Sequence, residues 1–575
     1  MKKSAVYSGL CYKLKGAAVV LAALLLSAGF IPGCKTPAEI PAPSAAPETE
    51  TPAPAEPREG PGAAEVRPIP VNRDELTITL SGEDTELDFR KSYLASEAQI
   101  YTALYEGLFS YHPLTMEPVP AMAGSWELSE DKKEWTFTLR EHARYWNGDP
   151  VRAEDFRAAW LSLLDPAKDS PYSSLFDIIE GARNYRTGAF QDSGQVGISV
   201  PDDKTLVVRL TAPASFFPSM LCHHSFSPIH PSMIKTADWS ELPPVSNGPF
   251  YIISNEKDQI VLAKNELYWD ASRVALKKIT IRFTGDGDEA AALWNSGEAR
   301  WISGEINLDA LTDRSGIMVN AMFATHYYFI RSARKPWDDY RLRRALSLAL
   351  PWEEIRTGYF LPAKTLIYPI PGYPEIGGVD ETNTEEAARL LEEAGYPKGV
   401  GLPELVVRLT PSPEAERIGK LMAASWMALG VPVKIDTVPY NRYFQSLKQN
   451  DYEVGSTTWI GDFADPYTFL QMWRRDSNLN DARYNDGEYE ALMEKSMSEE
   501  GKERWKTLSE AETILLDRGT VLPISYSPAV NIIDMDELDG WFPNALDIHP
   551  FKYLYFKALK PLPGLALAAP GPAGS

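Results

Sequence analysis

The sequence predicts an α/β fold divided into several domains. Three observations carry that expectation. The chain has 575 residues, several times the roughly 100–200 of an ordinary domain. Its 44% hydrophobic and 24% charged residues are globular proportions and exclude wholesale disorder. Apolar residues recur with period two in some stretches and period 3.6 in others, which mixes strands with helices throughout.

The segments follow in chain order. Lys2, Lys3, Lys13 and Lys15 precede any acidic residue, and an apolar run extends from Gly16 to Ile31. That run is short for the roughly 30 Å core of a bilayer, so residues 1–33 read as an export signal rather than a membrane helix. Ile31-Pro32-Gly33-Cys34 resembles a bacterial lipobox, with Cys34 as the lipidated first residue of the mature chain. Ile31 and Pro32 depart from the usual Leu and small residue. Residues 34–70 are Pro, Ala, Glu and Thr without apolar periodicity, an extended stalk that reaches on the order of 100 Å at ~3.1 Å per residue. Residues 561–575 are a Pro/Gly/Ala tail.

Between them lies the folded body. Leu76, Ile78 and Leu80 alternate, as do Trp135, Phe137 and Leu139, and Thr205–Leu210 follows the turn Pro201-Asp202-Asp203; all three read as strands. Glu385–Ala394 is a helix with Leu390 and Leu391 inward and Gly395 as its stop. Ile418, Leu421, Met422, Ser425 and Leu429 share a second helix face closed by Gly430, and a strand with Val431, Val433 and Ile435 inward follows.

Charge and motifs exclude several functions. The 57 basic and 79 acidic residues leave a net charge of −22, which argues against a nucleic-acid partner. Three Cys do not make a disulfide scaffold; after processing only Cys222 and the lipidated Cys34 remain. His223-His224-x5-His230 is the one His cluster. Pro228 and Pro231 interrupt it and no Cys adjoins, so these read as loop and packing histidines, with no metal expected. No G-x-S-x-G or H-E-x-x-H occurs. Gly285–Ala290 lacks a P-loop Lys and reads as a turn before a helix Ala290–Trp294. No carboxylate pair stands out as acid and base, so no catalytic residue, enzyme activity or cofactor is expected.

Three stretches carry a resemblance. The first runs from Tyr105-Glu106-Gly107-Leu108-Phe109 through Pro120-Ala121-Met122-Ala123, Ser125-Trp126 and Trp135–Arg140 to Tyr145-Trp146-Asn147-Gly148-Asp149-Pro150-Val151 and Asp155-Phe156. The second is His326-Tyr327-Tyr328-Phe329 through Arg341, Arg343 and Ala345-Leu346; the third is Trp459-Ile460-Gly461-Asp462-Phe463-Ala464-Asp465-Pro466. In this order the chain resembles the extracellular solute-binding proteins of oligopeptide ABC importers over about residues 71–557.

The resemblance implies a periplasmic-binding-protein-like Venus flytrap. Lobe I comprises 71–105, 230–323 and 527–560, an inserted domain II comprises 106–229, and lobe III comprises 324–526. It implies short peptides as ligands, permease and ATPase subunits as partners, a lipid anchor on a membrane facing the periplasm or exterior, and a monomer. Asp462 matches the residue that pairs with the ligand ammonium in peptide-binding members. Thr458, Ile460 and Gly461 would offer main chain to the peptide, and Trp459, Tyr440, Tyr172, Tyr327 and Tyr526 would wall the pocket. Core packing is the competing reading for each aromatic. The family's acidic residue in the first lobe segment falls at Tyr93, and its basic carboxylate partners fall at Ser456 and Leu447. Arg331, Arg334 and Lys364 are possible substitutes. These departures keep open another small solute on the same fold (nickel, haem, sugar or opine), or an adhesin-like surface lipoprotein.

Overall fold

Alternation of Leu76, Ile78 and Leu80 with polar neighbours builds the first strand, and all three are buried between layers. This computed structural model describes residues 73–81, 85–236, 239 and 243–557. The leader, Cys34, the stalk and the tail lie outside the described residues.

In chain order the strands are β1 (Glu75–Leu80), β2 (Phe109–Tyr111), β3 (Pro118–Pro120), β4 (Ala123–Leu128), β5 (Glu134–Leu139), β6 (Ile198–Asp202), β7 (Thr205–Arg209), β8 (Phe250–Glu256) and β9 (Gln259–Lys264). They continue as β10 (Lys278–Phe283), β11 (Trp301–Ser303), β12 (Ile317–Ile330), β13 (Leu405–Leu409), β14 (Val433–Thr437), β15 (Val454–Ile460), β16 (Val521–Ile533), β17 (Leu538–Asp539) and β18 (Tyr555–Phe556). Ten form one sheet in the order β14-β13-β15-β12-β16-β11-β1-β10-β9-β8, and β4-β5-β7-β6 form a second.

Two long antiparallel strands join the halves of the large sheet. At one end β12 and β16 pair through Ile317↔Ile532, and β16 continues onto β11 through Ile533↔Trp301. At the other end they pair through Phe329↔Val521, and β12 continues onto β15 through Ala324↔Ile460 to Ile330↔Val454. The β12–β16 register shifts between Ala321 and Thr325, opposite Pro528, which has no N–H to give the ladder.

Helices cover the sheets where the sequence supplies caps. Asn383 accepts from the Glu386 N–H, so the expected helix runs Thr384–Glu393 and stops at Gly395 (φ +91°). Ser412 caps the helix Pro413–Ala428, whose buried face is Ile418, Met422 and Trp426; Leu421, Ser425 and Leu429 sit at its half-buried margin. Gly430 (φ +86°) ends it, and a Cβ there would fall 2.1 Å from the Lys398 carbonyl oxygen. Two expectations change. Ile435 is 38% exposed, not inward, because β14 is the edge strand of the sheet. The helix expected at Ala290–Trp294 starts earlier, at Gly287, because Asp286 caps it by accepting from the Asp288 N–H.

In the smaller sheet Trp135, Phe137 and Leu139 point inward as expected. The helix Ala153–Leu163 lays Phe156, Trp160 and Leu163 into the core. A 3₁₀ segment, Pro171–Ile178, buries seven of its eight residues and carries Tyr172 toward β15. Among the described residues, no helix is long and apolar enough to cross a membrane.

Candidate functional site

The site begins on β15. The Ser456 N–H donates to the Tyr443 hydroxyl at 2.8 Å and its carbonyl accepts from the same hydroxyl at 3.0 Å, so Ser456 faces away from β12. Gly461 instead donates its N–H to Phe323 O on β12 at 2.8 Å. Peptide groups alternate in direction along a strand, so Thr458 and Ile460 share the direction of Ser456 and turn their N–H and C=O away from β12. The neighbour on that side, β13, pairs at Val407↔Val454, four residues before Thr458.

Beyond Gly461 the chain turns sharply. A Cβ on Gly461 would fall 2.5 Å from the Phe323 ring, so the close approach calls for glycine. Asp462 follows, buried to 7% exposure. Its Oδ1 accepts from the Tyr172 hydroxyl at 2.9 Å and its Oδ2 from the Thr468 hydroxyl at 2.8 Å. Its N–H donates to Thr468 Oγ1 at 2.8 Å, and its carbonyl accepts from the Tyr111 hydroxyl at 2.9 Å. No Lys or Arg among the described residues forms an ion pair with it; the nearest basic side chain is His223, whose Nε2 lies 3.7 Å from Oδ1. Burial pushes the carboxyl up to about 7, against the Thr468 and Tyr172 hydrogen bonds that hold it down. Burial, then His224, holds His223 well below the ordinary imidazole range. This carboxylate therefore sits among neutral donors, with its charge uncompensated.

The turn is anchored behind Asp462. Asp465 receives both terminal nitrogens of Arg504, at 2.7 and 2.9 Å, and the Arg504 guanidinium lies 3.7 Å from the Phe216 ring centroid.

The expected aromatics divide. Tyr172 bonds Asp462 directly and lies 6.5 Å from Trp459, centroid to centroid. Trp459 is 8% exposed, and its buried Nε1–H finds no protein acceptor. Tyr440 is half-buried, edge-on to Phe444 at 5.6 Å. Tyr526 bonds Thr365 and meets Tyr368 edge-on at 5.0 Å. Tyr327 is committed to the core, against Trp473 and Met472. Thr458 is exposed and bonds His326 Nδ1 through its hydroxyl at 3.2 Å.

The suggested basic substitutes are engaged elsewhere. Arg331 donates to the carbonyls of Asp481, Gln449 and Tyr452, Arg334 pairs with Glu453, and Lys364 pairs with Asp380. Sequence reasoning missed Tyr111, Thr468 and His223 as neighbours of Asp462. The His223-His224 doublet was visible as a motif, but nothing local tied it to a carboxylate more than two hundred residues away. Among the described residues, no group of three or more His, Cys, Asp or Glu is placed to hold a metal ion.

A polar seam joins 170–186 to 471–494. Arg183 Nε meets Asp476 Oδ2 at 2.7 Å and reaches toward Glu494 at 3.5 Å. Arg186 holds Asp177 at 2.6 Å and donates to the Asp476 carbonyl at 2.6 Å. Ser174 Oγ donates to Gln471 Oε1, and Asn478 Nδ2 to the Ser170 carbonyl, both at 2.9 Å.

A sheet joined through two long strands, with a buried carboxylate beside them, is the construction of a two-lobed solute-binding protein of the periplasmic type. Residues 117–481 match the family model for bacterial extracellular solute-binding proteins, family 5, and the chain belongs to that family. It is 30% identical over 467 residues to the oligopeptide-binding protein OppA of Bacillus subtilis, covering 77% of this chain and 85% of that protein. The Escherichia coli murein tripeptide binding protein MppA superposes with a TM-score of 0.75 at 26% identity, covering 85% of this chain and 99% of that one. MppA in its unliganded open form superposes with a TM-score of 0.60 at 25% identity, covering 84% and 98%. The heme-binding protein A of Haemophilus influenzae is 27% identical over 468 residues, covering 76% of this chain and 83% of that protein. The family consists of transport receptors rather than enzymes.

Proposed function

We propose that this protein captures short peptides between two closing lobes and delivers them to an ABC permease, gripping the peptide's ammonium on Asp462. One observation carries the reading: Asp462 is a buried carboxylate held by Tyr172 and Thr468 with no Lys or Arg partner among the described residues. An ammonium supplies the missing charge, worth roughly 4 kcal/mol at about 4 Å and an effective dielectric of 20, before desolvation is subtracted.

The rest of the ligand is held by what every peptide shares. Thr458 and Ile460 would pair with it as with an added strand, and the Trp459 Nε1–H would meet a ligand carbonyl. Tyr440 and Tyr526 would form outer walls. Lobe I would comprise 71–105, 230–323 and 527–560, the inserted domain 106–229 and lobe III 324–526, with β12 and β16 as the hinge. Cys34 would anchor the monomeric receptor to a membrane through lipid, beside the permease and ATPase subunits.

The seam between 170–186 and 471–494 then belongs to the closed state. The weaker match to open MppA supports that assignment. Arg183→Ala removes the pair with Asp476 without touching the ligand. It is expected to speed peptide dissociation several-fold and to blunt the salt dependence of dissociation, read by stopped-flow fluorescence. Unchanged dissociation would count against closure across this seam.

The ligand itself is tested by native mass spectrometry of the purified protein, which should release a mixture of short peptides. Haem is the second reading, because a relative carries that name. Recovery of haem, or of one defined non-peptide solute, overturns the proposal.

A further inference from the structure

His223 lies in the loop that precedes the 3₁₀ turn His224–Phe226, and its side chain caps that turn. The Ser225 N–H donates to His223 Nδ1 at 3.3 Å. A nitrogen that accepts cannot carry the proton, so in the neutral ring the proton sits on Nε2. Nε2 is the atom nearest the recognition carboxylate, 3.7 Å from Asp462 Oδ1. The ring is 4% exposed and fixed on two sides: edge-on to Tyr172 at 4.5 Å and against His224 at 3.9 Å. Oδ1 also accepts from the hydroxyl of Tyr172, the same residue whose ring the imidazole meets edge-on.

We propose that His223 is a positioning residue for Asp462: its Nε2–H, fixed by the Ser225 main chain, faces Oδ1 and favours the ionised carboxylate that a ligand ammonium needs. The inference rests on Asp462 as the ammonium partner. At 3.7 Å the contact is not a hydrogen bond, but an oriented N–H dipole in a buried site is weakly screened and acts at that range. Tyr172, Tyr111 and His224 are the other titratable groups packed around the pair, with Thr468 as the remaining donor to the carboxylate.

The test needs no peptide. The Asp462 carboxyl is titrated by ¹³C NMR in the ligand-free protein and assigned by its loss in Asp462→Asn. His223→Phe keeps a ring of similar size and removes the N–H; its Asp462 midpoint should rise by about half a pH unit or more, with an approximately twofold loss of peptide affinity at pH 7 that grows to about threefold at pH 6. His223→Gln restores a donor and should return the midpoint toward wild type. A purely structural role would lower the melting temperature of both variants and leave the midpoint unmoved, which overturns the proposal. In the wild-type protein, ¹⁵N shifts should show the Nε2–H tautomer, and an Nδ1–H tautomer overturns it without any variant. If Asp462→Asn leaves peptide affinity intact, the ammonium reading fails instead, and the titration still decides whether His223 tunes Asp462.

Discussion

Asp462→Asn is expected to weaken a free-amine peptide by about a hundredfold or more. The variant keeps an acceptor for Tyr172 or Thr468 but brings no charge to the buried ligand ammonium. An ion left unpaired in such a site costs about 3–5 kcal/mol, and each 1.4 kcal/mol is tenfold in affinity. Calorimetry on four combinations isolates the term: wild type and variant, each with a free-amine and an N-acetylated peptide. Acetylation should cost the wild type about 2 kcal/mol or more and should cost the variant far less, because the interaction is already gone. Equal cost in both proteins would remove Asp462 from the site.

Peptide affinity should also follow a bell in pH. The Asp462 carboxyl of the ligand-free protein titrates near 7 because burial disfavours its charge. The ammonium binds the ionised form, so below about pH 7 the association constant should fall toward tenfold per unit. Above the amine's own value of about 7.7–8.0 the ligand loses its charge and affinity falls again. The maximum therefore lies between about pH 7 and 8. Neighbouring groups leave this window clear. Burial holds His224 down to about 3 and His223 well below its usual range, and burial first, then charge, pushes Tyr172 and Tyr111 above the ordinary phenol range.

Stability obeys the matching linkage. A carboxyl whose folded value is raised stabilises the fold fully below its unfolded value near 4, and that contribution is lost as pH rises through 7. The ligand-free protein should lose stability across that interval. A free-amine peptide should then raise the melting temperature more at pH 7.5 than at pH 5.5, whereas an N-acetylated peptide should not show that difference. A flat affinity profile from pH 5 to 9 would mean that Asp462 does not titrate in the binding step.

Much of the fold was legible because its signals are local. Leu76, Ile78 and Leu80 are inward at the spacing they show in sequence, and Asn383 and Gly395 bound their helix as capping chemistry requires. Ile435 misled because apolar alternation says which residues share a face. It does not say that β14 ends the sheet and leaves that face half open. Tyr327 packs against Trp473, and an aromatic beside the site and one in the core have the same sequence signature. Tyr440 and Tyr526 remain candidates by position rather than by contact with Asp462.

The sequence alone determined the α/β class, the ordered motifs of the family and the carboxylate at position 462. Each depends on residues adjacent in the chain or spaced by one structural period. Only the tertiary structure decided the company that carboxylate keeps. Tyr172 reaches it across 290 residues and Tyr111 across 351, and His223 brings its Nε2 to 3.7 Å from it out of a third segment, the loop before His224–Phe226. Packing brings these groups together and excludes water, and that exclusion moves the Asp462 carboxyl from an ordinary acid to one poised near neutrality.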